Sequence, residues 1–386
     1  METIKDRVAI IGMGCTRFGE LFDKGIDDLI VEASYEAFED AQIDPKEIQA
    51  AWLGTCITAK TGTVLSQALK LDYIPVTRVE NACATGADAF RNACYSVAAG
   101  VYDLVLVVGM EKLKDSGLSG LPNFRKHPVF YEGETPPGYY AFAARRYFEQ
   151  YGIGKETLAK IAVKNHYNGS LTSRAHFRKP VTLEQVMNAP IISWPLGLLD
   201  CCPVTDGAAA AIIARADLAK NFRDDYILVK GFGAAIGPGC GTITDEYDFC
   251  HWEETERAAR VAYKEVGIRD PRKELDLAIV HDCFTISEIM VYEGLGFSKK
   301  GQSKEDIDSG VFELGGELPV NTDGGLLSFG HPIGASGIRM MYEIYKQIQG
   351  KAEERQLKNP TLGLAHSQGG VPGWFQCVIT VLGSRD

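Results

Sequence analysis

Apolar and polar positions follow two different periods over the first 118 residues of the chain. Short apolar runs, such as 8–11 (VAII) and 104–109 (LVLVVG), predict buried strands. Between them, residues 27–41 (DDLIVEASYEAFEDA) and 86–100 (GADAFRNACYSVAAG) place apolar side chains at helical spacing. Strands that alternate with helices predict an α/β unit with a mostly parallel sheet that helices cover on both faces.

The second segment, residues 119–199, breaks this pattern. It opens with a stretch rich in Pro, Gly and aromatic residues (121–140) and continues with helical patterns at 140–152 and 155–173. We interpret it as a helical insertion, and loops carried by a rigid sheet commonly shape a binding site. The run 203–219 (PVTDGAAAAIIARADLA) returns to a strand followed by a helix, so we expect it to rejoin the first sheet.

The third segment repeats the element order of the first. ELDLAIVHDC corresponds to AWLGTC, the helix after GHPIGASG to the helix after NACATG, and TLGLAHSQGG to DLVLVVGMEK. We therefore predict a duplicated α/β unit with an insertion. The predicted domains are an N-terminal half of residues 1–118 plus 200–224, a loop domain of residues 119–199 and a C-terminal half of residues 225–386.

Composition excludes several classes of protein. The 386 residues carry a formal net charge of -11 without a long basic stripe, which argues against nucleic-acid binding. No apolar run approaches the roughly 20 residues that span a membrane, and METIKDRVAIIGMG does not resemble a signal peptide. Ten irregularly spaced cysteines without a C-x-x-C pair indicate a reducing compartment and no zinc site. We expect a cytoplasmic protein without a metal.

Cys83 is the first candidate for chemistry. It lies in a turn of small residues (NACATG) immediately before a predicted helix. The positive end of a helix and its unpaired N–H groups favour a thiolate, which is the form that a nucleophile needs. Taken alone, however, a cysteine in this position is more often a small buried core residue.

Two further motifs accompany it. His331 lies among glycines in NTDGGLLSFGHPIGASG, again before a predicted helix, where a neutral imidazole could take a proton from Cys83. The apolar strand LAIVHDCF ends in His281 and Cys283, at the strand end where α/β sheets place their sites. Each of these residues has an alternative reading as a packed or hydrogen-bonded core residue.

Together the motifs resemble the thiolase family over nearly the whole chain. NACATG resembles the family's nucleophile motif, GMEKL its Gly-x-Glu turn and DCCPVTDGAAAAII its Asp-Gly-Ala-Ala-Ala strand entry. NTDGGLLSFGHPIGASG is close to a long and specific family signature. The resemblance implies the thiolase fold, with two pseudo-repeated βαβαβαββ halves in a five-layered α-β-α-β-α arrangement and an inserted helical loop domain.

The chain departs from the better-known thiolases at two points. It has His-Asp-Cys-Phe at 281–284 where they have Asn-Glu-Ala-Phe, and Ser367-Gln368-Gly369 where they have Cys-x-Gly. It is similar instead to the sterol-carrier-protein-type and archaeal thiolases. That resemblance implies that Cys283 is the acid/base and that His281 supports an oxyanion. A serine has too high a pKa to replace the missing cysteine at neutral pH.

The resemblance also implies an activity. Cys83 would carry the acyl group during CoA-dependent cleavage of a 3-oxoacyl-CoA or the reverse condensation, with His331 as base and the backbone amides of Cys83 and Gly369 binding the oxyanion. CoA is a co-substrate, and no tightly bound cofactor is implied. A basic cluster of Arg174, Arg178 and Lys179 could meet the CoA phosphates, although a solvated basic face is the more common reading of such a cluster.

The acyl group and the assembly are less defined. An aromatic stretch before Tyr140 and the run VPGWFQ favour a bulky or aromatic substrate, such as benzoylsuccinyl-CoA giving benzoyl-CoA and succinyl-CoA. The alternatives are an acetoacetyl-CoA thiolase (acetyl-CoA C-acetyltransferase), a condensing ketosynthase with a Cys-His-His set, and a non-catalytic acyl-CoA-binding subunit. The resemblance implies a homodimer or dimer of dimers, and a small zinc-ribbon/OB-fold partner subunit.

Overall fold

The computed structural model of the chain describes residues 3–118, 120–121, 134–239, 241 and 246–385. Residues 122–133, the larger part of the predicted aromatic stretch, lie outside this set. In chain order the strands are β1 (Val8–Cys15), β2 (Ala50–Gly54), β3 (Val76–Val79), β4 (Leu104–Glu111), β5 (Ile191–Ser193), β6 (Leu196–Gly197), β7 (Gly207–Arg215), β8 (Ile227–Ile236), β9 (Leu277–Val280), β10 (Leu362–Gly369) and β11 (Gln376–Gly383).

The helices fall where apolar side chains recur at helical spacing. In chain order they are α1 (Ile26–Ala41), α2 (Thr63–Leu69), α3 (Thr85–Ala98), α4 (Pro136–Tyr151), α5 (Lys155–Ser170), α6 (Leu183–Met187), α7 (Ala216–Ala219), α8 (Glu253–Val266), α9 (Pro271–Glu274), α10 (Thr285–Gly294), α11 (Ser303–Asp308), α12 (Gly325–Ser328) and α13 (Ile333–Ile348). None of the helices in the described part of the chain has the length and apolar character needed to cross a membrane.

The sheet has an internal symmetry that matches the predicted duplication. Its nine strands run in the order β3-β2-β4-β7-β1-β8-β11-β10-β9, with β1 and β8 adjacent and antiparallel at the centre. Outward from the centre, β1, β7, β4 and β2 have the same chain-order relationship as β8, β11, β10 and β9. Val320 forms an isolated bridge beside β9, at the position that β3 occupies beside β2. The two halves therefore share one topology.

The sheet is mixed, so the prediction of a mostly parallel sheet was wrong. Of its eight strand pairings, three are parallel, namely β2 with β3, β2 with β4 and β9 with β10. Antiparallel pairs flank β7 and β11. The reason is visible at β10 and β11, which a short loop joins, because a parallel pair needs a crossover of a dozen or more residues.

Five layers result from the packing of helices on the two halves of the sheet. Helix α1 covers one face of the N-terminal half, and α8 covers one face of the C-terminal half by packing on β8 and β11. Helices α3 and α13 lie between the halves, where α13 contacts β4 and β7 of one half and β10 of the other. Residues 333–345 of α13 are buried without exception, as a central helix requires.

The two central helices touch through their backbones near their N-termini. A Cβ added to Gly86 would lie 2.5 Å from the Gly334 carbonyl oxygen, and one added to Gly337 would lie 2.4 Å from the Ala87 nitrogen. Side chains at these positions would hold the helices apart, so glycine permits the close approach. The residues that precede α3 and α13 are consequently brought to one place.

The segment between β4 and β7 contains α4, α5, α6 and the small β5–β6 hairpin. Helix α5 is tied to the C-terminal half by buried polar groups. Lys164 forms an ion pair with Glu288 on α10, and the Asn165 amide donates to the Asp282 carboxylate at 2.8 Å. The division of the chain into three domains stays a prediction, but these bonds show that the inserted helix is attached to the end of β9.

Candidate active site

Cys83 lies in a tight turn between β3 and α3. Ala82 before it has a left-handed backbone (φ 45°), which few residues other than glycine adopt. Thr85 holds the turn, because its hydroxyl accepts from the Asn81 amide at 2.8 Å and donates to the Ala82 carbonyl. The turn therefore fixes the Cys83 backbone at the start of α3, beside the unpaired amides of the helix.

Burial decides the protonation of Cys83. It raises the pKa of the Cys83 thiol well above its ordinary value, and the neighbouring Cys283 raises it further. The backbone N–H of Gly370 has the opposite effect on this pKa, but a smaller one. The sequence predicted that the helix end would favour a resting thiolate. Desolvation has the larger effect on the pKa of Cys83, so that prediction was wrong. Cys83 needs a base to become a nucleophile.

His331 supplies a neutral imidazole in the position for that base. Burial, and then the positive charge of Arg339, lower the pKa of His331 to about 3. Ser336 lies 3.0 Å from the Pro332 carbonyl oxygen and 2.7 Å from His331 Nδ1, and when its hydroxyl hydrogen is on the carbonyl its oxygen accepts from Nδ1. This arrangement corresponds to the Nδ1–H tautomer. Nε2 then carries a lone pair, and it has no partner among the described residues.

His281 follows the last residue of β9 and is also neutral. Burial, and then its neighbour His331, lower the pKa of His281 well below its ordinary value. Neither of its ring nitrogens has a hydrogen-bond partner within the described part of the chain. Its backbone N–H points to Nδ1 of His366 at 3.5 Å. A buried imidazole without hydrogen bonds is energetically costly. A bound ligand would supply the missing hydrogen-bond partner.

Cys283 lies two residues beyond His281 and is fully buried. Burial raises its pKa to about 12, while hydrogen bonds from Tyr140 and Ser287 act to lower that pKa. The Ser287 hydroxyl lies 3.6 Å from the Cys283 sulfur. Cys202 lies beside Cys283, because the Cys202 backbone N–H donates to the Cys283 carbonyl at 2.9 Å. Cys283 is therefore a protonated thiol at neutral pH, as a proton donor must be.

The structure brings three of the predicted residues into one cluster. The Cys83 sulfur and one ring nitrogen each from His281 and His331 all lie within 4.8 Å of one another. The two imidazole rings meet edge to face, with centroids 5.4 Å apart. Three such atoms are also a possible set of ligands for a metal ion. The free lone pair of His331 accompanies a thiol that holds its proton, so the trio contains the groups that a nucleophile and its base require.

The predicted oxyanion residue Gly369 packs on the Cys83 turn. A Cβ added to Gly369 would lie 2.9 Å from the Cys83 nitrogen and 2.6 Å from the Asn81 carbonyl oxygen. The backbone N–H that reaches the Cys83 sulfur belongs to the next residue, Gly370, whose φ of 97° suits glycine. The role of Gly369 as an oxyanion donor stays a prediction.

A buried carboxylate connects the loops of the two halves. Glu111, at the end of β4, accepts from the backbone amides of Cys56, Ile57 and Thr58. It also accepts from the Gly334 amide at 3.1 Å, in the first turn of α13. A negative charge at a helix N-terminus is stabilising. Glu111 thereby ties the helix that follows His331 to the N-terminal half.

A second buried carboxylate supports the end of β9. Asp282 accepts from the backbone amides of Leu326 and Leu327 at 2.6 and 3.2 Å. Burial, and then the nearby Glu288, raise the pKa of Asp282 above its ordinary value. Its bonds fasten the strand end that carries His281 and Cys283 to the glycine-rich loop that carries His331.

Ser367, which stands where the better-known thiolases have a cysteine, is buried and donates to the Met340 sulfur at 3.4 Å. A hydroxyl that points at a thioether is not placed among the reacting groups described above. The role of Cys283 as the second cysteine stays a prediction.

Two cavities lead toward the cluster from the insertion. One, of about 770 Å³, extends from Arg17 and Lys114 to Cys202 and Phe284, which adjoin Cys283. The other, of about 900 Å³, is lined by Arg178 and Lys179. Both are lined by the same four residues at their junction, His166, His176, Phe177 and Leu199. They form a groove from a mouth lined by Arg178, Lys179, Glu353 and Glu354 to the strand end that carries Cys283.

Arg174 does not line this groove. Its guanidinium forms two bonds to the Glu36 carboxylate, at 2.8 and 2.9 Å, and also contacts the Cys15 carbonyl. Arg178 and Lys179 are exposed. Of the three basic residues noted in the sequence, two line the groove and one is held in an ion pair.

Four residues near the cluster were missed by the sequence interpretation. They are Tyr140, Ser336, His366 and Gly370. Ser336 lies inside a quoted motif, and its spacing of five from His331 could have suggested a partner on the first turn of α13. Tyr140 and His366 carry no local signal, because their contacts join segments that are far apart in the sequence.

Comparison with known protein families identifies the class of the chain. Residues 8–217 match the family model described as "Thiolase, N-terminal domain", and residues 240–384 match "Thiolase C-terminal domain-like". The chain belongs to the thiolase family and is an acyltransferase by class. The predicted family, fold and enzyme class are confirmed.

Similar sequences narrow the type of thiolase. An acetyl-CoA acetyltransferase of Methanothermobacter thermautotrophicus is 38% identical over 376 residues, covering 95% of this chain and 97% of that protein. Sterol carrier protein 2 of Gallus gallus is 30% identical over 382 residues, covering 94% of this chain and 70% of that protein. The predicted likeness to archaeal and sterol-carrier-protein-type thiolases is therefore confirmed.

Solved structures agree on the fold. The Ltp2-ChsH2(DUF35) aldolase has a chain that superposes with a TM-score of 0.86 at 26% identity, covering 99% of both chains. Human mitochondrial 3-ketoacyl-CoA thiolase superposes with a TM-score of 0.73 at 17% identity, covering 100% of both chains, a likeness that concerns the fold alone.

Proposed function

We propose that the protein is a CoA-dependent thiolase that carries an acyl group on Cys83. The observation that carries this proposal is the meeting of the Cys83 sulfur with the ring nitrogens of His281 and His331 within 4.8 Å, beside Cys283. A nucleophile, a neutral base and a proton donor in one buried place are the groups that acyl transfer through a covalent intermediate requires.

In the cleavage direction, His331 Nε2 accepts the proton of Cys83 as the sulfur attacks the 3-oxo carbonyl of the substrate. The backbone N–H groups of Cys83 and of the glycine pair 369–370 stabilise the tetrahedral oxyanion. This step is compatible with the high pKa of the resting thiol, because proton removal and attack occur together.

The C2–C3 bond then breaks and leaves the enolate of the shorter acyl-CoA. His281 and His331 donate hydrogen bonds to its oxygen, and the thiol of Cys283 delivers a proton to its carbon. CoA enters next, gives its thiol proton to Cys283 and attacks the acyl group on Cys83, and the departing Cys83 thiolate takes its proton back from His331. Free enzyme and the second acyl-CoA result, so the kinetics are ping-pong.

We place CoA along the groove described above. Its phosphates would meet Arg178 and Lys179 at the exposed mouth, and its pantetheine arm would run past Phe177 and Leu199 toward Cys202. The support for this placement is the pair of exposed basic residues Arg178 and Lys179 at one end of the groove, where Glu353 and Glu354 also line the cavity.

For the acyl group, two substrates have separate support. The archaeal acetyl-CoA acetyltransferase relatives favour acetoacetyl-CoA and acetyl-CoA. The apolar cavity of about 770 Å³ beside Phe284 favours a bulky or aromatic 3-oxoacyl-CoA, of which benzoylsuccinyl-CoA is the specific candidate. The first has the more direct support, since it rests on proteins that match nearly the whole chain.

We also propose a partner subunit and a dimer. The name of the Ltp2-ChsH2(DUF35) aldolase indicates a two-part enzyme, and a chain of that enzyme superposes on nearly all of this one. A small zinc-ribbon/OB-fold subunit is the partner that the sequence resemblance implies. Copurification of such a protein supports this part of the proposal, and full activity of the chain alone as a monomer contradicts it.

The deciding experiment is a cleavage assay with and without CoA. Acetoacetyl-CoA, a straight medium-chain 3-oxoacyl-CoA and an aromatic one are each mixed with the enzyme, and Cys83 is examined for an acyl adduct by mass spectrometry after acid quenching. We expect CoA-dependent cleavage and an adduct on Cys83. Cleavage without CoA would indicate aldolase-type chemistry, and decarboxylative condensation alone would indicate a ketosynthase. The absence of every reaction, with acyl-CoA still bound, would indicate a binding subunit.

A further inference from the structure

Tyr140 of the inserted helix α4 is buried at the junction of three segments of the site. Its hydroxyl donates to the Gly370 carbonyl oxygen at 3.3 Å. Its ring packs against Phe284, the neighbour of Cys283, with ring centroids 4.4 Å apart. Trp252 and Phe375 enclose the ring from other sides. A residue far from the motifs in sequence is thus fixed beside them in space.

A hydrogen bond from the same hydroxyl acts to lower the pKa of the Cys283 thiol. Gly370, which accepts from Tyr140 through its carbonyl, has a backbone N–H that acts to lower the pKa of Cys83. Tyr140 therefore lies between the two thiols of the proposed mechanism. Its ring packs on Phe284 beside one thiol, and its hydroxyl bonds to the backbone beside the other.

One O–H hydrogen cannot serve two acceptors fully at the same time. While Cys283 is a neutral thiol, the Gly370 carbonyl is the stronger acceptor. When the Cys283 sulfur becomes a thiolate, it becomes the better acceptor, since hydrogen bonds to charged groups are the stronger ones. The hydroxyl can meet both states by a rotation of its hydrogen about the C–O bond, without movement of the buried ring.

We propose that Tyr140 is a positioning residue for Cys283, whose O–H hydrogen turns from the Gly370 carbonyl to the Cys283 sulfur when that sulfur loses its proton. This inference rests on the proposed function, in which Cys283 exchanges a proton with C2 of the acyl-CoA. The proton lost by Cys283 goes to the enolate carbon, or returns from it, and Tyr140 keeps its own proton throughout.

Other titratable groups face Cys283 and share its environment. They are Asp282 next to Cys283 in the chain, Cys201 and Cys202 on the segment whose Cys202 amide bonds to the Cys283 carbonyl, and Cys83 across the site. The carboxylate and the thiolate forms of these groups disfavour a charge on Cys283, whereas the hydroxyls of Tyr140 and Ser287 favour it. Tyr140 is the hydroxyl that also contacts the backbone beside Cys83, which distinguishes it from Ser287.

The test is the exchange of the acetyl-CoA methyl hydrogens for deuterium in D2O, followed by mass spectrometry across a range of pH. Tyr140→Phe keeps the ring and removes the hydroxyl. We expect exchange near neutral pH to fall about ten- to hundredfold, the usual loss for a hydrogen bond to a charged group. The deficit should shrink as the pH rises, because added base restores the Cys283 thiolate. A deficit that is equal at every pH, or no deficit, would overturn the inference.

Two variants separate this inference from the proposed function. Cys283→Ala should abolish exchange; exchange that survives it would mean that Cys283 does not move the C2 proton, and the proposed function would fail at that step. Tyr147→Phe is the matched control, because Tyr147 is a buried tyrosine of the same helix whose hydroxyl bonds to Glu293. It should keep exchange within about twofold of the wild-type rate. An equal loss in Tyr147→Phe would assign the effect to general packing.

If Tyr140→Phe does not fold, as thermal melting would show, a second measurement applies. Biosynthetic replacement of tyrosine by 3-fluorotyrosine makes each phenol a stronger donor and leaves its size almost unchanged. The exchange profile should then move to lower pH. An unchanged profile, or a move to higher pH, would contradict a donor role for Tyr140.

Discussion

The turns that precede α3 and α13 occupy equivalent positions in the two halves, yet they carry opposite chemistry. The first presents Cys83, a partly exposed thiol whose pKa burial raises. The second presents His331, a fully buried imidazole whose pKa burial lowers to about 3. Desolvation is the first cause of the pKa shift in both groups, and it disfavours the charged form of each.

The difference shows how a duplicated fold can build one site. The symmetry of the halves brings two helix N-termini together through the Gly86 and Gly334 contact. The symmetry alone does not supply a nucleophile and a base. These two roles come from one residue at each of the two equivalent turns, a cysteine in the first and a histidine in the second. Each of the following experiments changes one member of the comparison.

The largest effect should follow the loss of the nucleophile. Cys83→Ala removes the atom that we propose to carry the acyl group, and thiolysis should fall at least about 10⁴-fold, as in other enzymes that lose a covalent nucleophile. Cys94→Ala is the matched control, because Cys94 is a fully buried cysteine of the same helix that faces the core. It should keep its turnover and lose about 1–2 kcal/mol of stability. Comparable turnover in the two variants would contradict the assignment.

The second effect concerns the protonation of the Cys83 and His331 pair. Because the pKa of Cys83 lies well above the ordinary value, the thiolate fraction is small and should rise about tenfold per pH unit. Alkylation of Cys83 by iodoacetamide, followed on its peptide by mass spectrometry, should therefore climb from about pH 6 to about pH 9 without a plateau. N-acetylcysteine under the same conditions provides the reference. A plateau near pH 6–7 would instead indicate a preformed thiolate–imidazolium pair.

The third effect tests the contact that joins the two turns. Gly86→Ala places a Cβ 2.5 Å from the Gly334 carbonyl oxygen, so the helices must separate. We expect a loss of about 1–3 kcal/mol in chemical denaturation, the usual cost of overpacking, and lower turnover. Gly315→Ala is the control, since nothing lies within 4 Å of its Cβ position. Equal stability of the two variants would mean that the close approach is not needed.

The smallest effect should follow a change in the tautomer of His331. Ser336→Ala removes the acceptor that holds the proton on Nδ1. Some molecules would then carry the proton on Nε2, where it blocks the transfer from Cys83, and kcat/KM should fall about five- to tenfold. Ser367→Ala, another buried serine near the site, should stay within about twofold of the wild-type value. A larger loss in Ser367→Ala would show that the serine does take part in the chemistry.

Much of the fold could be predicted from the sequence, because the repeated order of strands and helices is a local pattern. The correspondence of β9 with β2 and of β10 with β4 followed from that order and matches the sheet topology. The direction of the strands did not follow, since apolar runs are alike in parallel and antiparallel pairs. The isolated bridge at Val320 was also missed, because a single paired residue leaves no period to detect.

The site divides in the same way. Cys83, His281, Cys283 and His331 could be found because each stands in a motif with a specific local spacing. The protonation of Cys83 could not be predicted, since the helix end that favours a thiolate is visible in sequence and the depth of burial is not. Tyr140 and Gly370 could not be found either, because their relation to the two thiols exists only after α4 has packed on the C-terminal half.

The bond between Glu111 and the Gly334 amide has a consequence for how such a chain can be divided. A carboxylate of one half holds the first turn of a helix of the other, and that helix completes the packing of β4 and β7. Neither half therefore has a complete hydrophobic core of its own. A polypeptide cut near Asp224, between the halves, should give fragments that are aggregation-prone apart and reassemble when produced together, so that the acyltransferase could serve as a reporter of the proximity of two fused proteins.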